Sequence, residues 1–296
     1  MKYRIIAVLV TKNDGEILVN CLTRLSEFCD GIIVTDDGSS DGTAEVLKGF
    51  PKVIKVFSNQ PYSKWNVFRD YNRMLAEVHR IQPEWIISID ADDLIDKRFV
   101  AAAPSLFANT NVGRYTLKEV TLWGNKSMYR IDKPELYGRS GIRGPYILRY
   151  NPGIRLEYIG GNEKYKTKIL HAFRQNAVYK LIITKLFPIG AYIRMKDGVI
   201  KRWLKLTAYP QDHYDITHIR ITGEVGNYVM LDYVKVHYHF YNFQYAAKKH
   251  MDYVLNVALK QKRTEGEIAL LSSHFTKNFN DEGLKLAPVD REWGVL

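Results

Sequence analysis

The stretch that most constrains the fold of this chain is Trp85 to Asp93, WIISIDADD, where a short apolar run stops abruptly at Asp90, Asp92 and Asp93. A run of this length with a polar break reads as a buried parallel strand. Open α/β sheets bind their ligands just beyond the carboxyl ends of such strands. Carboxylates crowded there repel one another unless a cation shares the site, and their hard oxygens suit Mg²⁺ or Mn²⁺. The plain alternative is a strand followed by a solvated acidic turn.

A second stretch repeats the pattern. In GIIVTDDGSSDGT, Gly31 to Thr43, the strand Ile32 to Thr35 ends in Asp36 and Asp37, and Ser40 or Asp41 can cap the next helix. Two strands of one domain therefore carry carboxylates at the same end.

Around these stretches, strands and helices alternate. Tyr3 to Thr11 reads as a strand, followed by Lys12-Asn13-Asp14-Gly15 and a helix over Glu16 to Glu27 with apolar positions at helical spacing. A helix over 42–48, a strand over 53–57 and a helix over 64–80 lead to the strand Trp85 to Asp90. Such alternation calls for a parallel sheet with right-handed crossovers. Further on, Arg114 to Trp123 alternates as a half-buried strand with SMYRID as its neighbour. Asp197-Gly198 is a favoured hairpin turn, VKVHYHF over 234–240 is a late strand, and a helix over 245–260 precedes a polar tail.

The first strand, the DDGSSDGT turn and the DAD triplet, in this order over residues 3 to 95, resemble the family 2 glycosyltransferases. The resemblance implies an α/β fold of GT-A type: a Rossmann-like, mostly parallel sheet with helices on both faces, here with a basic α+β C-terminal extension. It divides the chain into a nucleotide-sugar-binding half (1–110), an acceptor-binding half (111–241) with an insertion at about 164–230, and C-terminal helices with a tail (242–296). It implies a metal-dependent enzyme that moves a sugar from a nucleotide diphosphate sugar to an acceptor hydroxyl by one displacement with inversion. Mn²⁺ or Mg²⁺ would be held by Asp92, with His237 matching the histidine of the family's late strand and His239 standing where that strand has glycine. Thr11, Asn13, Asp36, Asp37, Arg69, Asp90 and Ala91 fall on the nucleotide-sugar side, with Asp37 ahead of Asp36 for the base. Without the resemblance, Arg69 reads as a surface arginine and His237 as a half-buried strand histidine. Asn162-Glu163 sits where the family has a His-Glu pair, which makes Glu163 the candidate general base. Asp212, Asp215 and Glu224 compete with it, and Arg139 and Arg143 lie in a glycine-bearing loop suited to closing over a diphosphate.

Charge is uneven. The first 100 residues hold 13 basic and 15 acidic side chains, the other 196 hold 30 and 17, and residues 101–250 alone carry 24 against 10. A basic half suits an anionic acceptor: a cell-surface glycan, a lipid-linked sugar at the inner membrane face, or DNA, including hydroxylated bases of viral DNA. It also fits a merely soluble basic surface. Cys21 and Cys29 match neither a zinc pattern nor a disulfide framework, so a reducing, cytoplasmic setting with peripheral membrane contact is expected. The start, MKYRIIAVLVT, reads as a strand and not a secretory leader, and no apolar run is long enough to span a bilayer. DADDL also resembles the nucleophile motif of haloacid-dehalogenase-type phosphatases, but that reading leaves DDGSSDGT unexplained. A non-catalytic nucleic-acid-binding module would account for the basic half and leave the aspartates without purpose; no recognition motif for one is present.

Overall fold

Alternation along the first strand sets the two layers of the molecule. A computed structural model describes residues 3–60, 66–132, 146–158, 219–260 and 284–295. In β1 (Ile5–Thr11), Ala7 and Leu9 point to one face of the sheet and Ile6 and Val8 to the other. The same split holds in β2 (Gly31–Asp36), between Ile32 with Val34 and Ile33. Both faces are covered by helices, so these strands read as unbroken apolar runs.

On the Ala7 side pack α1 (Gly15–Ser26), through Leu18, Cys21, Leu22 and Leu25, and α2 (Thr43–Lys48), through Leu47. There too lies α4 (Lys97–Ala108), which contributes Phe99, Ala103 and Phe107. On the Ile6 side packs α3 (Val67–Ile81), through Met74 and Val78. The pivot of the larger core is Trp85. Its ring stacks on Tyr115 at 5.4 Å between centroids, and its indole N–H donates to the carbonyl of Phe107 at 3.1 Å. A buried indole is stable there because its one polar atom is satisfied.

The remaining strands are β3 (Val53–Ser58), β4 (Trp85–Ser88), β5 (Asp93–Ile95), β6 (Val112–Thr121), β7 (Met128–Arg130), β8 (Tyr146–Arg149), β9 (Arg155–Tyr158), β10 (Ile219–Thr222), β11 (Asn227–His237) and β12 (Leu286–Pro288). Eight of them form one sheet in the order β3-β2-β1-β4-β8-β6-β11-β5. The pairs β1–β2, β2–β3, β1–β4 and β6–β11 are parallel, while β8 runs antiparallel to β4 and β6, and β5 antiparallel to β11. The mostly parallel, doubly covered α/β sheet expected from the sequence is therefore present. Strands β6, β8 and β11 complete that same sheet.

The order forces a curl. Strands β4 and β5 are separated by four residues of chain, yet by four steps across the sheet. Four steps span about 19 Å if flat, whereas the link, which includes a turn at Ala91-Asp92, reaches at most about 17 Å even if fully extended. The sheet bends so that the segment 89–92 bridges from β4, inside the sheet, to the edge strand β5, and Asp90 and Asp92 lie on that bridge.

One detail bears out the sequence reading and one differs from it. Strand β7 neighbours the end of the expected 114–123 strand through the bridge Leu122–Tyr129, and its ladder partner is β12. The expected polar tail is partly core: Val289, Trp293 and Val295 are buried among Leu94, Leu122, Val234 and Val236. Close approach of backbones is visible at Gly113, where a Cβ would fall 1.5 Å from the carbonyl oxygen of Val225; only glycine fits there. The last long element is α5 (Phe243–Lys260). The chain divides into two units, one of residues 1–65, 69–155 and 221–296, the other of 66–68 and 156–220. The site described next belongs to the first. Among the described residues, no helix is long and apolar enough to cross a membrane.

Candidate functional site

The DDGSSDGT turn is held chiefly by its own side chains. Asp36 accepts from the backbone N–H of Ser39 at 2.9 Å and from its hydroxyl at 2.6 Å. Asp41 accepts from the N–H and hydroxyl of Thr43 and from the N–H of Gly15 at 3.1 Å. Asn13, in a left-handed conformation at φ 54°, accepts from the N–H of Ser40, and its own N–H donates to Ser39. Short polar side chains closing on nearby backbone are the usual means of fixing such loops. Thr11 donates to Asp14, so this predicted contact also serves the loop.

Asp37 is different. Its carboxylate is buried, accepts from the Asn59 amide at 2.7 Å, and stands 3.4 Å from the Lys12 ammonium and 3.7 Å from a guanidinium nitrogen of Arg69. Loss of hydration raises its pKa, and Lys12 and Asn59 oppose the rise. Arg69 is oriented by the buried Asp70, to which its Nε donates at 2.8 Å. The structure thus brings Asp37 and Arg69 together. The methyl group of Ala91 is in the core, so that residue offers only its backbone to a ligand.

Across the carboxyl edge of the sheet lies the second cluster. One ligand atom each from Asp92, His237 and His239 fall within 4.8 Å of one another. Asp92 leaves the β4–β5 turn, and the backbone N–H of Tyr238 donates to its carbonyl at 2.8 Å, which locks the turn to the end of β11. His237 Nδ1 is 2.9 Å from Asp93 and 3.8 Å from Asp92; His239 Nδ1 is 3.4 Å from the other Asp92 oxygen. The two imidazoles lie parallel, 5.7 Å apart between centroids. Below them Lys235, almost wholly buried, pairs with Asp93 at 2.8 Å and Glu119 at 2.9 Å.

The electrostatics follow from this crowding. Desolvation raises the pKa of Asp92, but Lys249, His237 and His239 together hold it well below the usual carboxylate range. Desolvation works against protonated His237, yet Asp92 and Asp93 outweigh it and lift the pKa to about 9. His239 goes down, chiefly through desolvation. Asp90 is pushed up to about 6, first by desolvation and then by repulsion from Asp93. Its side chain keeps access to water, so the desolvation is incomplete and the repulsion from its neighbours is the firmer cause.

One carboxylate with two imidazoles is a donor set for a divalent transition ion and is softer than the all-oxygen shell Mg²⁺ prefers. The residues present fit such an ion. The sequence reading named Asp92 and His237 for the ion, and the structure brings these two together; it did not include His239, whose place two residues after His237 on an extended segment was the available signal. It also missed Asp14 and Lys249. Asp14 sat in view in the turn after β1, while nothing in the sequence sets Lys249 apart from other helical lysines. Glu163, Asp212, Asp215, Arg139, Arg143 and the Asp197-Gly198 hairpin lie outside the described residues. Glu224 is described, 3.4 Å from Arg114.

Fold and site together define an α/β protein with an acidic, histidine-bearing site at the carboxyl edge of its sheet. Residues 6–110 match the family model for glycosyl transferase family 2, and over this stretch the chain is similar to that family. It is 28% identical over 159 residues to an uncharacterised protein of Mycobacterium tuberculosis, covering 51% of this chain and 38% of that one. Over 106 residues it is 27% identical to the lipopolysaccharide core biosynthesis glycosyltransferase LpsC of Rhizobium meliloti, covering 34% and 36%. The chain thus spans well under half the length of these relatives. Among solved structures it is similar to S. aureus TarS 1–349, at 12% identity and a TM-score of 0.41, covering 92% of this chain and 70% of that one.

Proposed function

We propose that this protein is a metal-dependent, inverting glycosyltransferase that moves a sugar from a nucleotide diphosphate sugar to an acceptor hydroxyl, in the synthesis of a cell-surface glycan. The observation that carries the proposal is the meeting of Asp92, His237 and His239 at the same sheet edge as Asp37. Asp92, His237 and His239 would hold Mn²⁺ in preference to Mg²⁺. When bound, such an ion neutralises the charge that develops on the departing diphosphate.

The chain's own groups supply the rest. Asp37 accepts from the N–H edge of the base, with Arg69 and Asn59 fixing its direction. Asp90, solvent-facing and beside the metal cluster, accepts from a ribose hydroxyl. The acceptor hydroxyl gives its proton to a carboxylate, for which Glu163 is the candidate. The basic stretch 101–250 contacts the anionic acceptor. A glycosyltransferase among the relatives that acts in lipopolysaccharide core synthesis supports the cell-surface setting.

The test is calorimetric titration of a panel of nucleotide sugars with and without Mn²⁺. One donor is expected to bind only with the ion, and Asp92→Asn to lose that binding while keeping the wild-type circular dichroism. Unchanged Mn²⁺ affinity in Asp92→Asn would sink the assignment. Glu163→Gln should bind donor normally and lose turnover; activity within a few-fold of wild type would turn attention to Asp212, Asp215 and Glu224.

A further inference from the structure

The metal cluster already contains a cation. The ammonium of Lys249, reaching in from α5, lies 2.9 Å from Oδ2 of Asp92 and 2.7 Å from Oδ1 of Asp14. The same Asp92 oxygen faces His239 at 3.4 Å, and the other faces His237 at 3.8 Å. The Asp92 oxygen that takes Lys249 is thus occupied by the protein's own cation, and the other faces His237.

Asp14 is built to keep its half of the bridge. It is buried, and its Oδ2 accepts from the hydroxyl of Thr11 at 3.1 Å and the N–H of Lys12 at 3.0 Å. Its Oδ1 accepts from the hydroxyl of Tyr245 at 2.6 Å, one helical turn before Lys249 on the same helix. Four donors fix this carboxylate, whereas among the described residues the Asp92 side chain meets only the groups of the cluster. A lysine stem is flexible and its ammonium can rotate about a single anchor. Release from Asp92 while resting on Asp14 therefore needs only a side-chain movement.

We propose that Lys249 is the resident cation of the metal site: it neutralises Asp92 while no divalent ion is bound, and the ion must displace it onto Asp14 to enter. The inference rests on the metal-dependent reading above. Its consequence is that the site stays neutralised without the ion, at the expense of affinity for it. An ammonium and a divalent ion cannot share one carboxylate oxygen without strong repulsion.

Full-length protein stripped with chelator and desalted is titrated with MnCl₂, and free Mn²⁺ is read from its room-temperature paramagnetic resonance signal. Lys249→Met and Lys249→Gln are both expected to bind Mn²⁺ roughly tenfold tighter than wild type, and Lys249→Arg no tighter. Lys249→Gln can still bridge the two carboxylates by hydrogen bonds, so it keeps the test open should Lys249→Met fail to fold. Equal or weaker binding in a folded neutral variant, with wild type still binding through Asp92, overturns the inference alone. If wild type and Asp92→Asn bind Mn²⁺ alike, the metal-dependent reading falls and takes this one with it. A wild type that binds no Mn²⁺ likewise overturns both, because the ion then never displaces Lys249.

Discussion

Nδ1 of His237 stands 2.9 Å from Oδ1 of Asp93, while the other oxygen of that carboxylate takes the Lys235 ammonium at 2.8 Å. A carboxylate behind a ligating imidazole fixes the ring and leaves one nitrogen committed. Asp93 is therefore a positioning residue behind His237. Asp93→Asn keeps the shape and removes the charge; Mn²⁺ affinity should fall about 10- to 100-fold. Titration of the folded variant checks this, and an unchanged affinity would show that His237 is held by other means.

The same buried triad makes a stability prediction. Lys235 and Asp93 are almost wholly buried, and Glu119 is mostly so. Lys235→Met leaves two carboxylates facing each other without their shared cation, at a cost of about 3–5 kcal/mol. Adding Glu119→Gln removes one of the stranded charges and should recover part of the loss. Urea unfolding of the two variants separates these outcomes; equal midpoints would mean that Glu119 reaches solvent when Lys235 is gone.

Acid stability offers a third check. Desolvation alone would raise the pKa of Asp41, yet its hydrogen bonds from Thr43 and Gly15 outweigh that and lower it. A carboxyl lowered on folding binds fewer protons in the native state than in the unfolded one, so its contribution is present above the unfolded value near 3.9 and is lost as pH falls through the folded value. Asp41→Ala should cost about 1 kcal/mol at pH 7, and less at pH 3, because below about 3.9 the unfolded chain takes up a proton that the native carboxyl resists. A difference that stayed constant from pH 7 to pH 3 would assign the effect to packing.

These residues also show how far the sequence could be read. The parallel core was legible because Ile5–Thr11, Gly31–Asp36 and Trp85–Ser88 are apolar on both faces and end in polar turns. Asp92 and His237 were legible because a strand end fixes where a side chain emerges. The role of Asp36 was less so: whether a carboxylate serves a ligand or caps its own turn depends on a few tenths of an ångström at Ser39. Lys249 lay further out of reach. Its partners are 235 and 157 positions away, and no local pattern encodes a contact made by the folding of α5 onto the sheet edge. The C-terminal segment misled for the opposite reason, since REWGVL is short and half polar, yet two of its side chains are core.

That segment gives the last prediction. Arg24, on α1, is mostly buried, and its guanidinium donates to the carbonyls of Ile95, Trp293 at 3.3 Å and Gly294 at 2.9 Å. Tyr238 adds a hydrogen bond from its hydroxyl to the carbonyl of Val295 at 3.2 Å. One side chain thus ties the C-terminal segment to β5, which begins at Asp93 directly after Asp92 and pairs with the end of β11 at His237. Gly294 closes the arrangement in a left-handed conformation at φ 65°, where an added Cβ would lie 3.0 Å from the Arg24 guanidinium. Arg24→Met fills the space but donates nothing, and each buried carbonyl left unmet costs about 1–3 kcal/mol. The loosening should be local, because β1, β2 and β3 do not depend on this clamp. Hydrogen exchange is expected to quicken at residues 93–95 and 291–295 and to stay slow at 5–11 and 31–36. Mn²⁺ affinity should fall with it, since Asp92 and His237 lose the backing that holds their strands together. Faster exchange with undiminished Mn²⁺ binding would show that the C-terminal segment braces the fold without bearing on the metal cluster.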